Sequence, residues 1–186
     1  MPLSNRTDRD AVRNAGKELI EHVHEVMRNV NWLDLLELTD MLPKASRIFV
    51  TGAGRSGLVG RMFGMRLMHA GLTAFVTGET ITPAATAGDL LVAISCTGTT
   101  GYTAYLVERA KQLGARVVAV TAESESPLAT VADKAVIIPM NIDDIVLKAA
   151  VFEHATGLCL DAVFNVISER LKVDADAFQA RHANLE

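Results

Sequence analysis

The sequence predicts an α/β chain: a single three-layer α/β/α sandwich with a five-stranded parallel sheet, preceded by N-terminal helices. Three observations carry this expectation. Short apolar runs recur at Arg47–Thr51, Thr73–Thr77, Leu90–Ser95, Arg116–Thr121 and Ala135–Pro139, the pattern of strands buried on both faces. Between them lie stretches of helical periodicity, at Leu58–Ala70, about Thr100–Leu113 and Pro127–Ala132; strands alternating with helices specify a parallel sheet. Gly71, Gly88 and Gly114 fall where helix ends and turns are needed.

The elements ahead of the sheet follow from periodicity and capping. Val12, Ala15, Leu19, Ile20, Val23, Val26 and Met27 recur at helical spacing and predict an amphipathic helix over Asp8–Val30. His22 and His24 fall in it two residues apart, on different faces, which is not a metal pair. Asn31 is a suitable N-cap for a second helix, Trp32–Met41, which Pro43 ends.

After the last strand, Ile145–Leu171 reads as a helix that is apolar almost all round in its first half. Glu153 is its only formal charge between Lys148 and Asp161. Such a helix is buried on more than one face. The sheet of so short a chain cannot cover it all, so subunit contacts and a homo-oligomer are expected. The tail, Lys172–Glu186, is polar and is expected to fray. The chain thus divides into N-terminal helices (1–45), one sheet domain (46–172) and a tail (173–186).

Composition narrows the classes of function. The 186 residues are 49% apolar and 22% charged, an ordinary globular balance sufficient for one domain. Aromatics are only 5%, so the core must come from Ala, Val, Leu, Ile and Met. A net charge of −4 with no long basic run argues against nucleic acid as the main partner. No uninterrupted apolar stretch reaches membrane-spanning length, and the opening Met1-Pro2-Leu3-Ser4-Asn5 does not read as a signal peptide. Cys96 and Cys159 lie in different kinds of segment and form no C-x-x-C. A cytoplasmic protein without a membrane partner or a disulfide framework is expected. Cys96 reads as a packing residue, with no His base beside it in sequence.

Two loops carry the chemistry. Gly52-Ala53-Gly54-Arg55-Ser56-Gly57 follows the first strand, and Ser95-Cys96-Thr97-Gly98-Thr99-Thr100 follows the third. Each opens a helix. Helix N-termini present unpaired N–H groups and partial positive charge, so both loops are anion sites, and on neighbouring strands they would converge on one small phosphorylated ligand. The first loop also satisfies the dinucleotide pattern G-x-G-x-x-G, with Glu79 as the acidic residue after the next strand. Against that reading, Arg55 and Ser56 place side chains where a dinucleotide needs bare backbone. The hydroxyls of Ser95, Thr97 and Thr100 suit a terminal phosphate monoester. Glu153 has two readings. A carboxylate in apolar surroundings has a raised pKa unless paired, which suits a base abstracting a proton beside a carbonyl; alternatively it is a structural Glu held by a partner.

Gly52-Ala53-Gly54-Arg55-Ser56-Gly57, Met65-Arg66-Leu67-Met68-His69, Gly78-Glu79-Thr80-Ile81-Thr82-Pro83-Ala84 and the closing Arg181-His182-Ala183-Asn184-Leu185-Glu186 together resemble the 6-phospho-3-hexuloisomerases of the sugar isomerase (SIS) superfamily. The resemblance runs over nearly the whole chain. It implies a flavodoxin-like SIS sandwich, usually tetrameric. It also implies interconversion of 3-hexulose 6-phosphate and fructose 6-phosphate, in formaldehyde fixation through ribulose monophosphate or its reverse. Under it Gly54, Arg55, Ser56, Ser95, Thr97, Thr100 and Glu79 are phosphate- and substrate-binding positions. Glu153 is the base, and His182, in a tail that completes the site, assists as acid, reaching a neighbouring subunit's site. The second loop departs from the family's usual Ser-Gly-Ser-Gly-Glu-Thr at Cys96, Thr97 and Thr99. Ile145-Val146-Leu147-Lys148 stands where the family tends to have Pro and Gly. No cofactor is implied, and the five histidines show no zinc-type spacing with carboxylates. Three alternatives remain: a non-catalytic sugar-phosphate-binding SIS module, which usually follows a DNA-binding domain that this N-terminus does not offer; another SIS-family phosphosugar isomerase; and a nucleotide-dependent oxidoreductase, for which a second domain lacks the length.

Overall fold

Five strands pair in parallel: β1 (Ile48–Gly52), β2 (Ala74–Val76), β3 (Leu90–Ile94), β4 (Arg116–Thr121) and β5 (Lys134–Ile137), in the order β2-β1-β3-β4-β5. The computed structural model describes residues 6–185; Met1–Asn5 and Glu186, the last residue of the closing hexapeptide, lie outside the described residues. The helices are α1 (Arg6–Asn29), α2 (Trp32–Met41), α3 (Gly54–His69), α4 (Gly101–Gln112), α5 (Pro127–Val131), α6 (Ile145–Arg170) and α7 (Ala175–Ala180). The three layers and the strand count agree with the sequence expectation. One shift matters at the site: α3 begins at Gly54, so Arg55 and Ser56 belong to a helical first turn rather than to a loop ahead of it.

Side-chain alternation along the strands builds two cores. On one face Ile48, Val50, Leu90, Val92, Ile94, Val118, Val120 and Val136 pack with Phe63 and Leu67 of α3 and Phe152, Ala155, Cys159 and Ile167 of α6, with α1 and α2 outside them. On the other face Phe49, Leu91, Ala93, Val117 and Ala119 meet Val107 and Ala110 of α4 and Leu128 of α5. Burying a side chain such as Phe152 contributes about 1.5–3 kcal/mol, and truncating it to Ala costs about 3–5 kcal/mol. By length and composition α6 could cross a membrane, yet 56% of its most apolar stretch is buried against this domain. It is the core helix, as its all-round apolar character requires.

The amino-terminal edge of the sheet is closed by a structural ion pair. Arg47, ahead of β1, donates to both carboxylate oxygens of Asp89, ahead of β3, at 3.0 and 2.7 Å. Burial pushes the Asp89 carboxyl up, but hydrogen bonds from Arg47 and Thr86 outweigh it and hold the group below its usual range. The opposite, carboxyl-terminal edge carries the loops.

The tail corrects an expectation. Residues 175–180 form α7, capped by Asp174, whose carboxylate accepts from Ala177 N at 2.7 Å. Phe178 packs on Phe164 and His69, and Arg181 donates to the His69 carbonyl at 2.9 Å. A polar composition suggested fraying; one aromatic anchor and one guanidinium at a helix end suffice to seat the segment on its own chain.

Candidate functional site

The chain reverses its direction of winding between β1 and β3, the central neighbours of the sheet. In open α/β sheets this switch point opens a crevice at the strands' carboxyl ends. Both candidate loops lie there. Glycine makes their approach possible: a Cβ on Gly57 would lie 2.6 Å from the Gly52 carbonyl oxygen, and one on Gly52 would lie 2.9 Å from that of Ile94. These contacts account for two of the three glycines of the dinucleotide-like pattern by packing alone. In the second loop Gly98 has φ +63°, and a Cβ there would fall 2.1 Å from Ser126 Oγ.

The two helices that open at this crevice differ from four others among the described residues. Side chains of Asn31, Ser126, Asp144 and Asp174 cap α2, α5, α6 and α7. At α3 and α4 the N-cap residues, Ala53 and Thr100, make no side-chain cap hydrogen bond. Their leading N–H groups therefore remain available to an external acceptor, and the helix dipole favours an anion. Around these ends the hydroxyls are ordered. Ser95 Oγ and Thr100 Oγ1 are hydrogen-bonded at 3.1 Å, and Gly98 N donates to Ser95 Oγ at 3.2 Å. Thr99 donates its N–H and hydroxyl to Thr97 Oγ1, at 3.3 and 2.9 Å. Thr97 is exposed; Ser56 is half-buried on the first turn of α3.

Glu153 reaches this crevice from α6. Its side chain is only 10% exposed, and Arg55 Nε donates to its Oε2. The pairing meets the condition the sequence set for a carboxylate among apolar neighbours. Beside the pair a groove of about 430 Å³ runs between α3 and α6, lined by Leu58, Met62, His154 and Leu158 among others. Sequence reasoning missed that Arg55 faces Glu153, because the two residues are far apart in the chain; only the α3–α6 packing joins them.

The remaining candidates lie elsewhere. Glu79, on the loop after β2, pairs with Arg61. Arg61 is six residues beyond Arg55, about 240° around α3, so Glu79 is not brought to Glu153. His182 stacks on the buried His69 ring at 4.2 Å, and its Nδ1 lies 3.0 Å from the Phe178 carbonyl. His69 ends α3 and Arg55 begins it, so within one chain His182 and Glu153 are about 20 Å apart along that helix.

A second ion pair borders the second loop and was not anticipated. Lys148 Nζ donates to Glu123 Oε1 at 2.7 Å. Glu123 follows β4, and its N–H donates to Thr121 Oγ1, which in turn donates to the Cys96 carbonyl. Burial pushes the Cys96 thiol above its usual range, with Lys148 pulling it down and Glu123 and Glu153 pushing it further up. Cys96 is therefore a packing residue rather than a ready nucleophile. Cys159 is buried, its thiol pushed up to about 12 by desolvation, and neither cysteine is in a disulfide. Among the described residues no three His, Cys, Asp or Glu side chains gather as a metal-ligand set.

Comparison with known proteins agrees with this fold. The SIS domain family matches residues 41–164. A Mycobacterium gastri protein named 3-hexulose-6-phosphate isomerase is 40% identical over 184 residues, 95% of this chain and 92% of that one. A protein of the same name from Methylomonas aminofaciens is 34% identical over 158 residues, covering 81% of this chain and 86% of that one. A crystal structure from Methanococcus jannaschii, described as inferring a molecular function of 3-hexulose-6-phosphate isomerase, superposes with a TM-score of 0.84 at 31% identity, over 91% of this chain and 99% of that one. The chain is therefore an isomerase of the SIS domain family, similar over most of its length to proteins named 3-hexulose-6-phosphate isomerase.

Proposed function

We propose that this protein interconverts D-arabino-3-hexulose 6-phosphate and D-fructose 6-phosphate through a cis-enediol(ate), without a cofactor and with Glu153 as the base. One observation carries the reading. Two helix N-termini without side-chain caps converge at the switch point beside the Arg55–Glu153 pair. The relatives' names support the choice of sugar.

The phosphate monoester binds at the first turns of α3 and α4, contacted by Ser56, Ser95, Thr97 and Thr100. Fixing that remote group orients the reacting carbons at Glu153. With the carbonyl at C3, Glu153 takes the proton from C2. The C–H electron pair becomes the C2–C3 double bond, and the carbonyl pair settles on O3. A proton passes from O2 to O3; the O2 pair then forms the new carbonyl, and Glu153 returns its proton to C3. Because C2 and C3 are adjacent, one carboxylate serves both. Arg55 holds Glu153 through its guanidinium, and a phosphate arriving at the start of α3 competes for the same group, freeing the base. His182 acts at the substrate oxygens from a neighbouring subunit. An oligomer is in keeping with the exposed Leu58, Met62 and Met65 of α3, Leu158 of α6 and Ile20 of α1. All of these but Met65 line one or both of two grooves that share His154 and Leu158.

The test is fructose 6-phosphate in D2O with the purified protein. Deuterium is expected at C3, with 3-hexulose 6-phosphate appearing. Label at C1 instead identifies an aldose–ketose isomerase, and a protein that gives neither label at C3 nor 3-hexulose 6-phosphate overturns the reading.

A further inference from the structure

The Lys148–Glu123 pair is not used by the chemistry above, and its position is unusual. Lys148 lies in the first turn of α6, four residues after the N-cap Asp144. The helix dipole disfavours a cation there, so local preference does not explain it. Its ammonium is nonetheless held. The Glu123 hydrogen bond raises Lys148 above the usual lysine range despite partial burial, so it stays charged across neutral pH. With one donor given to Glu123, two N–H donors remain for another acceptor. Lys148 stands five residues before Glu153, about 7.5 Å along the axis of α6. Both act on the Cys96 thiol at the start of the second loop. The mouth of the crevice is thus bordered by two cations, each on its own carboxylate: Arg55 on Glu153 and Lys148 on Glu123.

We propose that Lys148 is a further catalytic residue, whose ammonium meets the oxygen that becomes negative as the enediolate forms, and that Glu123 is its positioning residue. This rests on the isomerase reading above. Arg55 begins α3, where the phosphate binds, whereas Lys148 rises from the β4–α6 side, beyond the hydroxyls of the second loop. A phosphate anchored between the two loops leaves the sugar to extend past Cys96, toward Lys148 and Glu153. As Glu153 takes the proton and the carbonyl pair moves onto oxygen, a fixed cation stabilises the developing charge. It binds the uncharged carbonyl more weakly, so the effect falls on turnover.

The experiment compares wild type with Lys148→Met, which keeps the stem length, and Lys148→Arg. Turnover of fructose 6-phosphate is measured together with calorimetric binding of two probes. One is 4-phospho-D-erythronohydroxamate, which mimics a 2,3-enediolate; the other is D-glucitol 6-phosphate, a polyol with no such charge. Lys148→Met is expected to lower kcat/KM by about 10²-fold, the usual effect of losing one charge-stabilising donor. It should weaken the hydroxamate comparably while leaving the polyol nearly unchanged, and Lys148→Arg should recover part of both losses. Glu123→Gln should lower kcat more than it raises KM. If kcat/KM and hydroxamate affinity in Lys148→Met stay within roughly twofold of wild type, or both probes weaken equally, the proposal is overturned. A wild-type protein that neither forms 3-hexulose 6-phosphate nor exchanges the C3 hydrogen of fructose 6-phosphate overturns the isomerase reading itself, which separates the two failures.

Discussion

The guanidinium of Arg55, on the first turn of α3, is hydrogen-bonded to the carboxylate of Glu153, in the first half of α6. The partners are unlike in exposure: Arg55 is 68% exposed and Glu153 only 10%. The buried member is thus fixed by the helix it sits on, and the exposed member is free to turn toward an incoming anion. Glu153→Gln keeps the side-chain shape and removes the base. It should preserve the fold and lower kcat by about 10²-fold or more. Stopped-time assays with a thermal melt as control check this, and near-normal turnover in a folded variant removes Glu153 from the mechanism.

The second loop makes a separate prediction. Ser95 and Thr100 are hydrogen-bonded to each other beside the uncapped start of α4. Ser95→Ala or Thr100→Ala should weaken fructose 6-phosphate and inorganic phosphate alike, by about 1–3 kcal/mol each, the cost of leaving a charged acceptor short of a donor. Calorimetric titration reads this directly. Unchanged phosphate affinity in both variants moves the ligand away from this loop. NAD, titrated in parallel, should show no saturable binding.

The seat of the tail should depend on pH. His69 is buried at 3% exposure, and neither ring nitrogen has a hydrogen-bond partner. Burial lowers its pKa from the ordinary 6.5, and the neighbouring charges of His182 and Arg66 lower it further. The folded, docked form therefore holds its proton less tightly than the released form. The contribution to docking is complete above about 6.5 and is lost as pH falls from there through the folded value. Hydrogen exchange at Phe178–His182, followed from neutral to mildly acidic pH, should show protection falling across that window. His69→Phe, which keeps the stacking and removes the titration, should flatten the change.

The sandwich was legible because five apolar runs alternate with helices, and a parallel strand buried on both faces leaves that mark in the sequence. The two loops were legible because glycine and hydroxyl residues at strand ends have few other uses. Glu153 was legible as a lone charge on an apolar helix. The ion partners were not. Arg55 with Glu153 and Lys148 with Glu123 join residues from different elements, and their pairing depends on how α6 lies across the sheet. Nor was the seating of the tail legible, since Phe178 acquires its meaning only beside His69 and Phe164. Boundaries moved for a physical reason too: the glycines at 52 and 57 serve close packing, which lets α3 start within the loop.

His182 and Glu153 sit near opposite ends of α3, about 20 Å apart within one chain. A site built from both must therefore draw them from different chains. The seating of Arg181 and His182 on the same chain's His69 replaces the expectation of a frayed tail, and it gives the tail a fixed place from which to meet a neighbour. Deleting Arg181–Glu186 should abolish most activity and leave the sheet domain folded, because its core holds none of that segment's described residues. Complementation decides the rest. Glu153→Gln and His182→Ala proteins, each inactive alone, are mixed, dissociated and reassembled. If sites are shared, some receive Glu153 from one chain and His182 from another, and part of the activity returns in proportion to mixed assemblies. If activity stays absent although mixed assemblies are seen by mass spectrometry, His182 does not serve a neighbour's Glu153, and the acid at the substrate oxygens has to be sought among groups already at the crevice.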